Sequence, residues 1–240
     1  MSPEVTEVGT GEPLVVFVHG VLGHGRSFDR VAALLEAECT MRWYDRRGYA
    51  SSMELPGAPS TVDQHIDDLV AVLDGRRAVV VGHSFGGVTA MGAAVRAPEL
   101  VDALVLYETS VAWSPGWDDA DALMQGVFNA DDPEGAALLL MLGPAYDQLD
   151  DDARARRRIE ARAFIAEEQS VRAGTPYDVA EIRCPVVYGC SSDAVMPEVR
   201  SFLAARIPRF EVVDVPDAGH HAHRSAPEAF ADLVRRGLVA

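Results

Sequence analysis

Ala78-Val79-Val80-Val81-Gly82-His83-Ser84-Phe85-Gly86-Gly87 decides how the rest of the chain is read. Ala78–Val81 is short, apolar and β-branched, the pattern of a buried strand. Val88 to Ala97 is alanine-rich and free of proline, and Pro98 closes it, the pattern of a helix. Between them the sequence fits G-x-S-x-G. Glycines without a Cβ let the backbone pack closely around a tight turn. Such a turn pushes the Ser84 hydroxyl out of the sheet at a helix start. The Phe85 N–H then faces the same point, ready for an oxyanion. The plainer alternative makes Ser84 an ordinary helix N-cap.

Composition bounds the alternatives. The chain has 240 residues, enough for one α/β domain with an insertion, and a net charge of −16. That charge argues against nucleic acid or an anionic membrane surface as partner. No apolar run reaches the length of a membrane helix. Every basic residue is arginine, so lysine-based Schiff-base or general-base chemistry is excluded. Met1-Ser2-Pro3-Glu4 does not begin a signal peptide, and Cys39, Cys184 and Cys190 are odd in number without C-x-x-C spacing. The expectation is a cytoplasmic protein, monomer or homodimer, with neither a disulfide frame nor a zinc site. No phosphate-binding or dinucleotide fingerprint appears, so no cofactor is expected.

Outward from the elbow, strand and helix patterns alternate. Leu14–Val18 is a continuous apolar run suited to a strand buried on both faces. It leads into His19-Gly20-Val21-Leu22-Gly23-His24-Gly25, a glycine-rich loop at the strand's carboxyl end, where ligands of open α/β sheets bind. Val21 is the natural second oxyanion donor beside Phe85, and His19 is expected to be structural. Ser27–Glu36 has helical spacing, and Met41–Tyr44 reads as a strand. Asp45 is expected to bond within its own loop. Thr61 caps a helix over 62–73, whose Asp63, Asp67 and Asp68 read as surface charge rather than metal ligands. Ala103–Tyr107 is a further strand, ending at Glu108 on the catalytic edge. Strand–helix alternation of this kind implies a parallel sheet with right-handed crossovers.

His19-Gly20, Asp45-Arg46-Arg47-Gly48 and Gly82–Gly87 together resemble the α/β-hydrolase superfamily, over Leu14–Tyr107 and again from Pro185 to the C-terminus. The resemblance implies an α/β-hydrolase fold, a mostly parallel sheet flanked by helices. Its core would be residues 1–112 and 177–240, with a helical cap inserted at 113–176. Ala50 departs from the pattern, since many relatives carry glycine there. In the insertion, Leu123, Met124, Val127 and Phe128 have helical spacing, 136–142 is apolar, and 150–172 reads as a long, partly solvated helix. Trp113, Trp117, Phe128 and Met141 are expected in the cap core. By resemblance the triad acid is Asp193, after the strand Pro185–Gly189, with Glu108 in reserve. The spacing from Gly189 is one residue longer than the commonest form. The base is His220, directly after Gly219. His221 and His223 are expected to be exposed neighbours, and His83 to flank the site.

The implied chemistry is cleavage of a carboxylic ester or lactone of a small to medium, largely apolar substrate through an acyl-enzyme. Ser84 is the nucleophile, His220 the base, Asp193 the acid, and Val21 and Phe85 N–H the oxyanion hole. Two alternatives stand beside this. The same triad cleaves a C–C bond or amide in some relatives, although tryptophan often follows the histidine in the C–C group, where this chain has His221. A member of another class binds a small molecule without hydrolysis.

Overall fold

A computed structural model describes residues 2–57, 61–191 and 197–240. Seven strands form one sheet: β1 (Val5–Val8), β2 (Leu14–Val18), β3 (Thr40–Tyr44), β4 (Ala78–His83), β5 (Val101–Tyr107), β6 (Val186–Cys190) and β7 (Phe210–Asp214). Their spatial order is β1-β3-β2-β4-β5-β6-β7. Every neighbouring pair is parallel except β1 on β3. The helices are α1 (Asp29–Leu35), α2 (Val62–Leu73), α3 (Phe85–Arg96), α4 (Asp118–Phe128), α5 (Pro133–Leu142), α6 (Asp151–Arg172), α7 (Pro197–Ala204), α8 (Ala222–Ser225) and α9 (Pro227–Leu238).

β2 is apolar at every position, and β4 from Ala78 to Val81 and β5 from Ala103 to Tyr107 likewise, because both faces are covered. Val16, Val18 and Val80 pack with Ile66 and Leu69 of α2, Val88 and Met91 of α3 and Leu203 of α7. Val15, Phe17, Val79 and Val81 face the other way, onto Val31 and Leu35 of α1 and Phe230 and Val234 of α9. The helix over 62–73 has the expected cap: the Thr61 hydroxyl accepts from Gln64 N–H while the Gln64 side chain accepts from Thr61 N–H.

Between β5 and β6 lies the helical insertion, α4 to α6, with its own core of Met124, Val127, Ala137, Leu138, Ala161 and Phe164. Phe128 packs on this core as expected, whereas Trp113 and Trp117 pack on the sheet-face core. They precede the first turn of α4, so they belong to the connection and not to the insertion's interior. Met141 is largely exposed. Val21 and Leu22 of the glycine-rich loop also pack against the insertion core.

Two of the three aspartates of α2 meet the surface-charge expectation. Asp63 and Asp67 take the exposed Arg96. Asp68 does not: it is buried and accepts from Arg47 Nε and Nη2 at 2.9 and 2.6 Å. Burying both charges together satisfies each of them, which an isolated aspartate count does not reveal.

Candidate active site

Ser84 stands between β4 and α3 with φ 52° and ψ −126°, a conformation that costs a residue with a Cβ energy. The surroundings hold it there. Ser84 N–H donates to the Tyr107 carbonyl at 2.9 Å, and Gly87 N–H donates to the Ser84 carbonyl at 2.9 Å. Two glycines are dictated by close approach. A Cβ on Gly86 would collide with the Val18 carbonyl, and one on Gly20 would sit 2.9 Å from Ser84 Cβ and 3.2 Å from His83 Nδ1. The glycine-rich loop therefore runs directly against the elbow. Phe85 is the first residue of α3, so its N–H is among those a helix leaves without an internal acceptor.

His220 follows Gly219 on the loop after β7. Its Nδ1 lies 2.7 Å from Glu108 Oε2. Glu108 is the residue after β5, itself at φ 43°, and its N–H donates to Gly189 O at 3.0 Å. Its other oxygen accepts from Ser191 N–H at 3.0 Å and from Ser191 Oγ–H at 2.7 Å. Burial alone would raise this carboxyl; the bonds from His220 and Ser191 outweigh it and hold it at about 2. The carboxylate on His220 is thus the one expected in reserve. Asp193, expected as the acid, lies outside the described residues. The end of β5 delivers Glu108 directly to Nδ1 of His220.

The remaining histidines divide by burial. The His83 ring is 4.8 Å from the His220 ring, and its Nε2–H donates to the His220 carbonyl at 2.7 Å. Burial, with the histidines around it, keeps His83 well below its usual range. His221 is exposed as expected. His223 is not: it is 3% exposed, with its ring 4.9 Å from Phe28 and 5.8 Å from Phe230. Alternation along the loop does not predict this, because α8 turns the side chain inward. Among the described residues no group of three or more histidine, cysteine or acidic side chains is arranged to hold a metal ion.

His19 is structural, as expected. Its Nε2 accepts from Arg46 N–H at 2.8 Å and its Nδ1–H donates to the Gly20 carbonyl at 2.7 Å, which fixes the neutral tautomer. Asp45 bonds to Ser51 within its own loop and also accepts from Gly25 N–H at 2.7 Å. Ala50 adopts φ 42°, the conformation a glycine would take without strain.

One buried charged group beside the site escaped the sequence reading. Glu167 of α6 is fully buried and pairs with Arg46 Nη1 at 2.6 Å, Tyr49 OH at 2.8 Å and His65 Nε2 at 2.7 Å. Burial opposes ionisation, but Arg46 and His65 hold the carboxylate charged. The signal was present: Glu160, Phe164, Glu167 and Val171 fall at helical spacing on one buried stripe of α6, and a carboxylate on such a stripe demands a partner.

The model of the alpha/beta hydrolase family matches residues 15–233. The chain belongs to that family. This places it among hydrolytic enzymes. Lipase LipV of Mycobacterium tuberculosis is 41% identical over 106 residues, covering 43% of this chain and 40% of LipV. The sn-1-specific diacylglycerol lipase ABHD11 of Mus musculus is 24% identical over 259 residues, covering 95% of this chain and 81% of that protein. In three dimensions, a thermophilic esterase from Thermogutta terrifontis superposes with a TM-score of 0.77 at 22% identity, over 98% of this chain and 92% of the esterase. No helix among the described residues is long and apolar enough to cross a membrane.

Proposed function

We propose that this hydrolase is a serine esterase or lactonase acting on a small to medium, largely apolar substrate through an acyl-enzyme. The observation that carries the reading is the pairing of His220 with Glu108 at 2.7 Å, with the His220 ring 4.8 Å from that of His83, the residue before a serine held at φ 52°. Glu108 stays ionised and holds the Nδ1–H tautomer, so Nε2 of His220 presents its lone pair. Ser84 Oγ attacks the ester carbonyl carbon and His220 Nε2 takes its proton. The Phe85 and Val21 N–H groups bind the oxyanion, each worth about 3 kcal/mol in the transition state. His220 returns the proton to the departing alkoxide, the acyl group stays on Ser84, and water repeats the sequence to release the acid. The helices α4 to α6 act as a cap that covers the site and shapes the pocket, supported by their packing on Val21 and Leu22. Three cysteines without disulfides suit a reducing, cytoplasmic setting.

The test is turnover of short-chain p-nitrophenyl esters together with labelling by a fluorophosphonate probe. Labelling lost in Ser84→Ala is expected. Absence of labelling in the unmodified protein overturns the serine-hydrolase reading. Turnover of anilides at rates matching the esters moves the assignment to amide cleavage.

A further inference from the structure

Arg46 touches both sides of the oxyanion hole. Its Nε–H donates to the His19 carbonyl at 2.8 Å, and its backbone N–H fixes the His19 ring. Both contacts are with the residue that opens the Gly20-Val21 loop. Its guanidinium also lies 5.0 Å from the centre of the Phe85 ring and 4.7 Å from that of Tyr49. Phe85 supplies the other N–H. Arg46 is itself fully buried and is fixed by Glu167, which belongs to the inserted helix α6.

The same helix reaches the loop a second time. Arg157, ten residues and almost three turns before Glu167, donates to the Leu22 carbonyl at 2.9 Å and is paired with Glu160 at 2.6 Å. Glu160 in turn accepts from Ala50 N–H at 3.2 Å. Between these struts, Val21 is packed against the sheet core and the insertion core at once. A stretch with two glycines and a left-handed Leu22 has little stiffness of its own. Its geometry is imposed from outside, and much of what imposes it stands on α6.

We propose that Glu167, acting through Arg46, and Arg157, acting on the Leu22 carbonyl, are positioning residues for the oxyanion hole, so that the hole is complete only when the helical insertion is seated. A cap that merely covered a pocket would need only apolar contact with the loop. A buried carboxylate that costs desolvation and is recovered by an arginine on the loop after β3 adds a fixed geometry. The inference rests on the serine-hydrolase reading, because it concerns where the transition-state oxygen is held.

The experiment compares an ester with its thionoester, in which sulfur replaces the carbonyl oxygen and is the poorer hydrogen-bond acceptor. The ratio of kcat/KM for the two reports how well the hole is formed. Glu167→Gln is expected to lower kcat for the ester by about tenfold or more, with KM little changed and the ester-to-thionoester ratio reduced. Arg157→Gln, a change at a partly exposed site, is expected to reduce the same ratio more mildly and covers the case in which Glu167→Gln does not fold. An equal loss on both substrates, or none, in the folded variants overturns the positioning role while leaving the hydrolase reading intact. An unmodified protein that turns over neither substrate overturns both.

Discussion

Glu108 Oε2 and His220 Nδ1 are 2.7 Å apart, although the two residues are 112 positions apart in the chain. The carboxylate is already saturated by the Ser191 hydroxyl and N–H on its other oxygen, so it has one orientation. An acid fixed in this way selects the imidazole tautomer without moving during the reaction. Glu108→Gln keeps the shape but puts an amide where the ring proton must be accepted. We expect kcat to fall by about 10³–10⁴-fold, the scale of losing the correct tautomer in a triad. Asp193→Asn, measured in parallel with p-nitrophenyl acetate, is expected to change kcat little. The reverse ranking returns the acid to Asp193.

Gly20 offers a test of how closely the glycine-rich loop is fitted to the elbow. A Cβ there would approach Ser84 Cβ to 2.9 Å, and Ser84 cannot yield because its own backbone is locked between Tyr107 O and Gly87 N–H. Gly20→Ala is therefore expected to displace the loop, lowering kcat by about 10²-fold while the far-UV circular dichroism stays unchanged. Unchanged turnover means that the loop relaxes elsewhere.

Asp67 and Asp68 are neighbours on α2 with opposite expectations. Asp67 meets Arg96 at an exposed site, so Asp67→Ala should alter the urea unfolding free energy by about 1 kcal/mol or less. Asp68 and Arg47 are both buried, with a two-pronged contact. Removing Asp68 leaves a cation in the interior, and Asp68→Ala should cost about 3 kcal/mol or more. Equal costs for the two refute the distinction.

These contrasts show what a sequence carries and what it does not. The inner strands of the sheet were legible because a strand buried on both faces must be apolar throughout, as Leu14–Val18 and Ala78–Val81 are. The elbow was legible because Gly82, Ser84 and Gly86 are required at fixed neighbouring positions. The resemblance puts Asp193 ahead of Glu108, whereas the contact of Glu108 with His220 depends on where β5 ends relative to the loop after β7, which residue spacing does not give. Glu167 was harder still. A charged residue in the long helix 150–172 looks solvated until the helix is docked, and its partner Arg46 is more than a hundred residues away. Long-range pairing of buried charges leaves only the weak signal of a polar residue on an apolar stripe.

His223 sits in the interior against Phe28, Phe230 and the His83 ring, with His221, Arg224, His220 and His24 as its other charged or titratable neighbours. Burial first, then these neighbours, lowers it from 6.5 to about 3. In the unfolded chain the imidazole takes up its proton near its ordinary value, whereas in the folded chain it stays neutral down to the lower one. Between those values the unfolded state binds more protons, so stability increases with pH through that window. The full contribution is present above pH 6.5 and is lost progressively toward pH 3. His223→Leu removes the group that takes up the proton and keeps an apolar side chain against the two phenylalanines. Its stability at pH 7 should stay within about 1.5 kcal/mol of the unmodified protein, as for a roughly volume-conserving core change. Between pH 6.5 and 4.5 the urea midpoint of the unmodified protein should fall more steeply than that of the variant. His19 and His83 are buried and lowered in the same way, so the variant keeps part of the slope. Parallel slopes for the two proteins would mean that His223 is protonated in the folded state within this range.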